Sequence, residues 1–283
     1  MIQSMTGYGK SEVQLENKKV TIEIRSLNSK NLDINARFPT LYKEKEMEVR
    51  KWLSSELLRG KIDLALFVET TGEETFTRIN TAIVESYLEQ LEGIRKEADI
   101  LSIAMRLPDV LKTEREELDE EEWQKIEGAI HKATEQLNMF RTSEGNELKR
   151  DFEHRIAVLE QKLAEVVSID PERLEGIRTR LEKSIQELKS DVDENRFEQE
   201  LIYYLEKLDI TEEKVRLNKH LSYFMESLNE KESNGKKLGF ISQEMGREIN
   251  TIGSKANFAP MQKVVVEMKD ELEKIKEQLL NVL

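Results

Sequence analysis

The chain has 283 residues, 38% hydrophobic and 36% charged, with four prolines, no cysteine and a formal net charge of −13. Without cysteine there is no disulfide framework, no thiolate catalysis and no thiolate metal site, and so much charge with so few helix breakers favours long solvated helices around a modest core. The length suffices for two domains, and the acidic total weighs against a protein that binds nucleic acid over its whole surface, although phosphate binding depends on local basic density.

Neither the opening MIQSMTGYGKSEV nor any later stretch has the apolar run of a secretory signal or a membrane span, so a cytoplasmic location is expected. Residues 2–9, 18–28 and 31–38 read as strands. Val20, Ile22 and Ile24 alternate with Thr21, Glu23 and Arg25, the period of a half-buried strand. Asn17 with Lys18, and residues 28–31, supply turns between these runs. Antiparallel pairing is the simplest arrangement. Pro39 and Thr40 open a helix with Leu41, Met47, Trp52, Leu53 and Leu57 on its apolar side, and Gly60 suits a left-handed cap at its end. Ile62, Leu64, Leu66 and Val68 form a fourth strand, followed by a helix from about Thr81. Arg25, Arg37, Arg59 and Lys61 lie in or beside the strands, where a basic surface competes with the ordinary tendency of charged residues to face water.

Beyond about Asn80 no strand is expected. Pro108 starts a helix, residues 119–168 read as one or two long charged helices, and Asp170-Pro171 marks a further helix start. Two narrow apolar stripes, Leu174, Ile177, Leu181, Ile185 and Leu188, then Val264, Met268, Leu272, Ile275 and Leu279, suit a helical hairpin or a contact between subunits. The expected class is α+β, an N-terminal antiparallel sheet with helices followed by a long-helix region. Its expected divisions are 1–100, a helical hairpin over 101–190, and a C-terminal helical catalytic domain over 191–283.

Three helical patterns between Asp191 and Ala256 mix acids and a histidine with apolar stripes. On the helix capped by Thr211, Glu213, Arg216, His220 and Phe224 share one side. Glu213 and His220 stand roughly 10 Å apart along its axis, too far to ligate one ion closely without help. Glu244 and Glu248 are four residues apart, so their carboxylates can converge on a cation. Glu198 and Glu200 are two apart and cannot both point the same way. None of these signals has the specificity of a zinc-protease or phosphate-loop motif. A lone helix histidine, or a glutamate pair in so acidic a chain, is ordinarily structural or solvated. Tyr203, Tyr204, Tyr223 and Phe240 are possible stacking platforms for RNA bases, with core packing the expected fate of most of them.

At these residues the chain resembles the YicC/YloC family of bacterial endoribonucleases over nearly its whole length. The resemblance rests on residues 4–10 (SMTGYGK), residues 25–32 (RSLNSKNL) and Arg59-Gly60-Lys61. It continues with Arg141 and Glu144-Gly145, Asn195-Arg196 with Glu198-Gln199-Glu200, and Asp209, Glu212-Glu213, Arg216-Leu217 and His220. Its strongest stretch is Gly235-Lys236-Lys237-Leu238 followed by Gln243-Glu244, Arg247-Glu248, Asn250-Thr251 and Ser254-Lys255. The resemblance implies a divalent-metal-dependent RNA endonuclease of bacterial RNA turnover, assembled as a homohexamer around a central opening. Residues 1–100 would then be its oligomerisation and RNA-channel domain, with RNA and other RNA-decay enzymes as partners.

Joined to the spacing argument, this gives an expected site. Glu213, His220, Glu244 and Glu248 hold one or two Mn²⁺ or Mg²⁺ ions, hard oxygens with one imidazole suiting manganese better than calcium. Arg216 and Arg247 clamp the phosphate, and Lys236, Lys237 and Lys255 follow the RNA backbone together with Arg141 and Arg196. Two alternatives stay open. In one, His220 acts without metal as general base on the ribose 2′-hydroxyl, leaving a 2′,3′-cyclic phosphate and tolerating EDTA. In the other, the chain is a non-catalytic RNA-binding adaptor or helical scaffold.

Overall fold

The structure is a computed structural model that describes residues 2–71, 77–92, 99–113, 118–188, 194–230 and 234–283, without the side chains of residues 77, 78, 112, 113, 184–188, 194–197 and 201. The described chain forms strands β1 (Gly7–Gln14), β2 (Lys18–Leu27) and β3 (Leu32–Arg37), a 3-10 turn (Thr40–Lys45), helix α1 (Glu46–Glu56) and strands β4 (Gly60–Thr70) and β5 (Thr77–Ile79). Then follow α2 (Thr81–Glu92), α3 (Ile100–Ala104), β6 (Leu111–Thr113), α4 (Glu120–Leu188), α5 (Glu194–Lys207), α6 (Thr211–Leu228), α7 (Gly235–Lys255) and α8 (Ala259–Leu279). The class is α+β, as expected. The chain divides into two compact units, one of residues 8–25 and 32–137, the other of residues 1–7, 26–31 and 138–283. The division falls inside α4, not at 100/101 or 190/191 as the sequence patterns indicate.

In the first unit the sheet order is β1-β2-β4-β3. Three residues join β1 to β2, a connection only antiparallel neighbours can use. β3 and β4 are parallel instead, with Leu32 opposite Gly60 and Arg37 opposite Ala65. The expected all-antiparallel sheet fails here because α1 carries the chain back along the sheet, the crossover that parallel neighbours require. Gly60 has φ 122°, a conformation that favours glycine, but it opens β4 instead of capping α1. The alternating apolar residues point one way. Val20, Ile22, Ile24, Ile62, Leu64 and Leu66 pack with Val49 and Leu53 of α1 and with Trp123, Ile126, Ile130 and Leu137 of α4. The short antiparallel pair β5–β6 contradicts the absence of strands beyond Asn80. Three residues are too few to display a period.

The second unit is built from the later part of α4 with α6, α7 and α8. Phe152, Ile156, Leu159, Leu217, Phe224, Met245, Ile249, Met268 and Ile275 are at its centre. The N-terminal segment is tied into this unit. The Met5 amide donates to the Asn281 carbonyl at 2.8 Å, the Leu283 amide to Gln3 at 3.0 Å, and Ser4 forms a bridge with Val282. A Cβ on Gly145 would stand 2.2 Å from the Ile2 carbonyl oxygen, so only glycine admits the segment there.

α4 runs unbroken through Pro171, contrary to the helix start expected there. An interior proline costs a helix one hydrogen bond and about 3 kcal/mol. Asp170 does not cap a new helix. Its carboxylate takes the Arg173 Nε at 2.8 Å and the Lys214 Nζ of α6 at 2.7 Å, contacts that hold the continuous helix against its neighbour. Among the described residues no helix is long and apolar enough to cross a membrane.

Gly9 yields the sharpest packing test in the first unit. A Cβ there would lie 1.9 Å from the Ala133 carbonyl oxygen of α4 and 2.9 Å from the Leu137 amide nitrogen. Backbone cannot give way as a flexible side chain can. Gly9→Ala is expected to lower unfolding free energy by about 1–3 kcal/mol or more, read as an earlier urea midpoint.

Candidate functional site

α6 and α7 run antiparallel and pack along most of their length. Apolar residues recur at helical spacing on each, with Leu217, Leu221, Phe224 and Leu228 facing the core from α6 and Leu238, Met245, Ile249 and Ile252 from α7. Ile210 is the residue before α6, and the first turn is held by Asp209, whose carboxylate accepts from the Thr211 amide at 3.0 Å and the Thr211 hydroxyl at 2.7 Å. Thr211 is thus the first residue of α6 and a donor to Asp209, not the cap expected from the sequence. The hydroxyl's hydrogen bond holds the Asp209 carboxyl below its ordinary range.

Two contacts pin the ends of the helix pair. At one, Lys255 Nζ reaches Glu213 Oε1 at 2.7 Å and the Asp209 carbonyl at 2.9 Å. At the other, Lys237 Nζ stands 4.8 Å from the centre of the Tyr223 ring and pairs with Glu230, whose hydrogen bond raises the Lys237 ammonium. Since both helices rise by about 1.5 Å per residue, interpolation between the pins brings His220 level with Glu248 along the seam.

These contacts sort the predicted ligands. Glu213 is 6% exposed and its Oε1 is neutralised by Lys255, while its Oε2 is buried without a hydrogen-bond partner. Glu244 is held by Arg247 on its own helix at 3.0 Å. Glu248 is 8% exposed and its carboxylate has neither hydrogen bond nor ion pair among the described residues, and the half-buried His220 is likewise without one. The expected four-ligand set is therefore not assembled within this chain. Among the described residues no group of three or more histidine, aspartate or glutamate side chains is placed to hold a metal ion. The physical reason is that Lys255 and Arg247 already neutralise Glu213 and Glu244. Magnesium asks for less than a protein cage, since one or two carboxylates, water and substrate phosphate complete its shell. Glu248, whose carboxylate keeps contact with water and has no counter-charge among the described residues, fits that kind of site.

The predicted cations also divide. Lys236 is exposed, Arg247 is exposed beside Glu244, and Arg216 is exposed and paired with Glu212. Lys237 and Lys255 stand at the seam with the partners given above. Arg196 lies on α5, with its side chain outside the described residues. Arg141 is 2% exposed and does not line a surface of the chain. Its Nη2 donates to Ser26 Oγ, which in turn donates to the Met5 carbonyl at 2.7 Å, and burial pushes its guanidinium down to about 10. The resemblance at Ser4, Ser26, Arg141 and Gly145 therefore coincides with the anchor of the N-terminal segment. The four candidate stacking aromatics depart from expectation in the other direction. Tyr203, Tyr204, Tyr223 and Phe240 are all exposed, not core.

The helical unit of this α+β fold thus carries on one helix pair a carboxylate and an imidazole with no ion pair among the described residues, bordered by cations. Residues 2–150 match the family described as "Endoribonuclease YicC-like, N-terminal region", and residues 166–283 match "Endoribonuclease YicC-like, C-terminal". The chain is 34% identical over 289 aligned positions to "Probable endoribonuclease YicC" of Clostridioides difficile, covering 99% of each chain. It is 29% identical over 287 positions to the protein of the same name from Haemophilus influenzae, covering 100% of each. The chain belongs to the YicC-like endoribonuclease family.

The Glu213–Lys255 pair can be separated from chemistry. Lys255→Ala leaves a buried carboxylate uncompensated and is expected to cost about 1–3 kcal/mol of stability in urea titration. Glu213→Gln combined with Lys255→Met should recover part of that loss, since neither charge is then stranded.

Proposed function

We propose that the chain cuts RNA at internal phosphodiester bonds and that the α6–α7 seam is where the cut is made. Membership of an endoribonuclease family supports the reaction class. The observation that carries the location is that Glu248 and His220, neither with a hydrogen bond or ion pair among the described residues, fall at one level of the α6–α7 packing between the Lys255 and Lys237 contacts. Glu248 and His220 keep contact with water and are committed to no partner among the described residues, so a substrate can reach both.

In this reading Arg247 and Lys236, exposed on the outer side of α7, draw the phosphate backbone to the seam, and Arg216 approaches it from α6. His220 accepts a proton from the attacking oxygen. Glu248 would be the residue of this chain to hold a divalent cation, Mn²⁺ or Mg²⁺. Such a cation, when bound, acidifies water and stabilises charge on the phosphate in the transition state. Action in bacterial RNA turnover as a cytoplasmic homohexamer, beside other RNA-decay enzymes, belongs to the same proposal and rests on the family resemblance. The metal-free route, with His220 acting on the 2′-hydroxyl, is the second reading, and it needs only the imidazole that α6 presents without a partner among the described residues.

Cleavage of an end-labelled structured RNA separates these readings. Glu248→Gln and His220→Ala are each expected to slow cleavage by about 10²- to 10⁴-fold without lowering the thermal midpoint appreciably. With a bound cation, EDTA abolishes cutting; on the metal-free route it does not, and only His220→Ala is severe. Undiminished cleavage by both variants would remove the seam from the chemistry. RNA binding with no cleavage under any condition would make the chain an adaptor.

A further inference from the structure

The outer row of α7 consists of Lys236, Phe240, Gln243, Arg247, Asn250 and Ser254, spaced four, three, four, three and four residues apart and all exposed. They share one face of the helix over roughly 27 Å. No acidic residue falls on this row, in a chain with 57 aspartates and glutamates and a net charge of −13. Two cations, two amides and a hydroxyl surround one aromatic ring. Phe240 is 70% exposed, more than any other aromatic side chain among the described residues. Glu244 lies off the row and is bound to Arg247, so it does not oppose an approaching anion unaided.

The composition of the row selects its occupant. A helix built to pack against another helix carries a stripe of apolar residues, and this face has a single one. A face that only needs solvation gains nothing from a bare phenyl ring. A cationic and amide-lined track with an isolated exposed ring is the arrangement by which single-stranded nucleic acid is held, phosphates on the charges and a base on the ring. A duplex keeps its base faces within its own stack and cannot use the ring. Tyr223, 45% exposed with Lys237 above its ring, borders the seam that the row runs beside.

We propose that the outer face of α7 binds a single-stranded stretch of RNA, with Phe240 stacking on a base and so favouring unpaired substrate at the seam. This rests on the RNA reading above and adds to it a determinant of specificity. The phosphate contacts of Lys236 and Arg247 position any RNA, while the ring at Phe240 distinguishes an unpaired base from a paired one.

The test measures binding of a fluorescein-labelled 12-nucleotide oligoadenylate and of a duplex of equal length to the full chain, in a Glu248→Gln background that keeps the RNA intact. Phe240→Ala is expected to weaken single-strand binding about 5- to 150-fold and duplex binding less than about twofold. Phe240→Leu, apolar but not aromatic, should lose as much as alanine. Phe240→Trp should retain affinity, and its indole emission should fall as the oligomer binds. Because the side chain is exposed, none of the three should move the thermal midpoint. Full affinity in Phe240→Leu, or an equal loss on the duplex, would overturn the stacking role. So would unchanged RNA binding by Phe240→Ala with an altered sedimentation coefficient, which would make the ring a contact between copies. If the parent protein neither binds nor cuts RNA, the RNA reading itself fails. Binding and cutting that survive Phe240→Ala would overturn only the inference about Phe240.

Discussion

Lys255 reaches from the last turn of α7 to Glu213 in the first turn of α6, and the register fixed there decides which side chains share the seam. A shift by one residue would turn α7 by about 100° and carry Glu248 off the side of the helix that Lys255 and Lys237 share. The contact also explains why a carboxylate can be buried at the mouth of α6: its charge is met by a lysine that remains one-third exposed, so only one end of the pair is desolvated. At the opposite end of the seam, Lys237 is held by Glu230 and the Tyr223 ring. Between these two ends lie His220 and Glu248, neither of which has a hydrogen bond or ion pair among the described residues. A firmly held frame around side chains committed to no partner is the arrangement expected of a site whose partners arrive with the substrate.

The N-terminal segment illustrates a different use of polar residues. Ser26, Arg141 and Met5 form a chain of hydrogen bonds, Thr6 donates to Glu144 at 2.7 Å, and Asn28 donates to the Leu280 carbonyl at 2.6 Å. These residues fall in segments that carry the family resemblance, yet Arg141 lies too deep to meet a ligand at the surface of this chain. Their chemistry closes the second unit by tying residues 2–6 and 26–28 to α4 and the C-terminal residues. Resemblance alone does not distinguish an arginine that binds phosphate from one that binds a serine. Burial does.

What the sequence made legible follows from what is local. The period-two runs at residues 20–24 and 62–66 identify strands because one face meets water and the other the core. Strand direction is not local: β3 and β4 are parallel because of the path taken by α1. Asp170-Pro171 has the local chemistry of a helix start, but ion pairs to Arg173 and Lys214 override it. At the site, helical spacing puts Glu213 and His220 on one side of α6. It could not reveal that Glu213 is matched by a lysine 42 residues further on, or that Phe240 faces solvent, because both depend on neighbouring helices.

The central claim is that RNA meets the chain on α6 and α7. Photocrosslinking an RNA substituted with 4-thiouridine to the full chain, followed by mapping of the attached peptides, tests it without presuming a mechanism. Crosslinks concentrated in peptides that contain Tyr223, Phe240 and Arg247 are the predicted result. Crosslinks confined to residues 8–25 and 32–137, with none on α6 or α7, would contradict it.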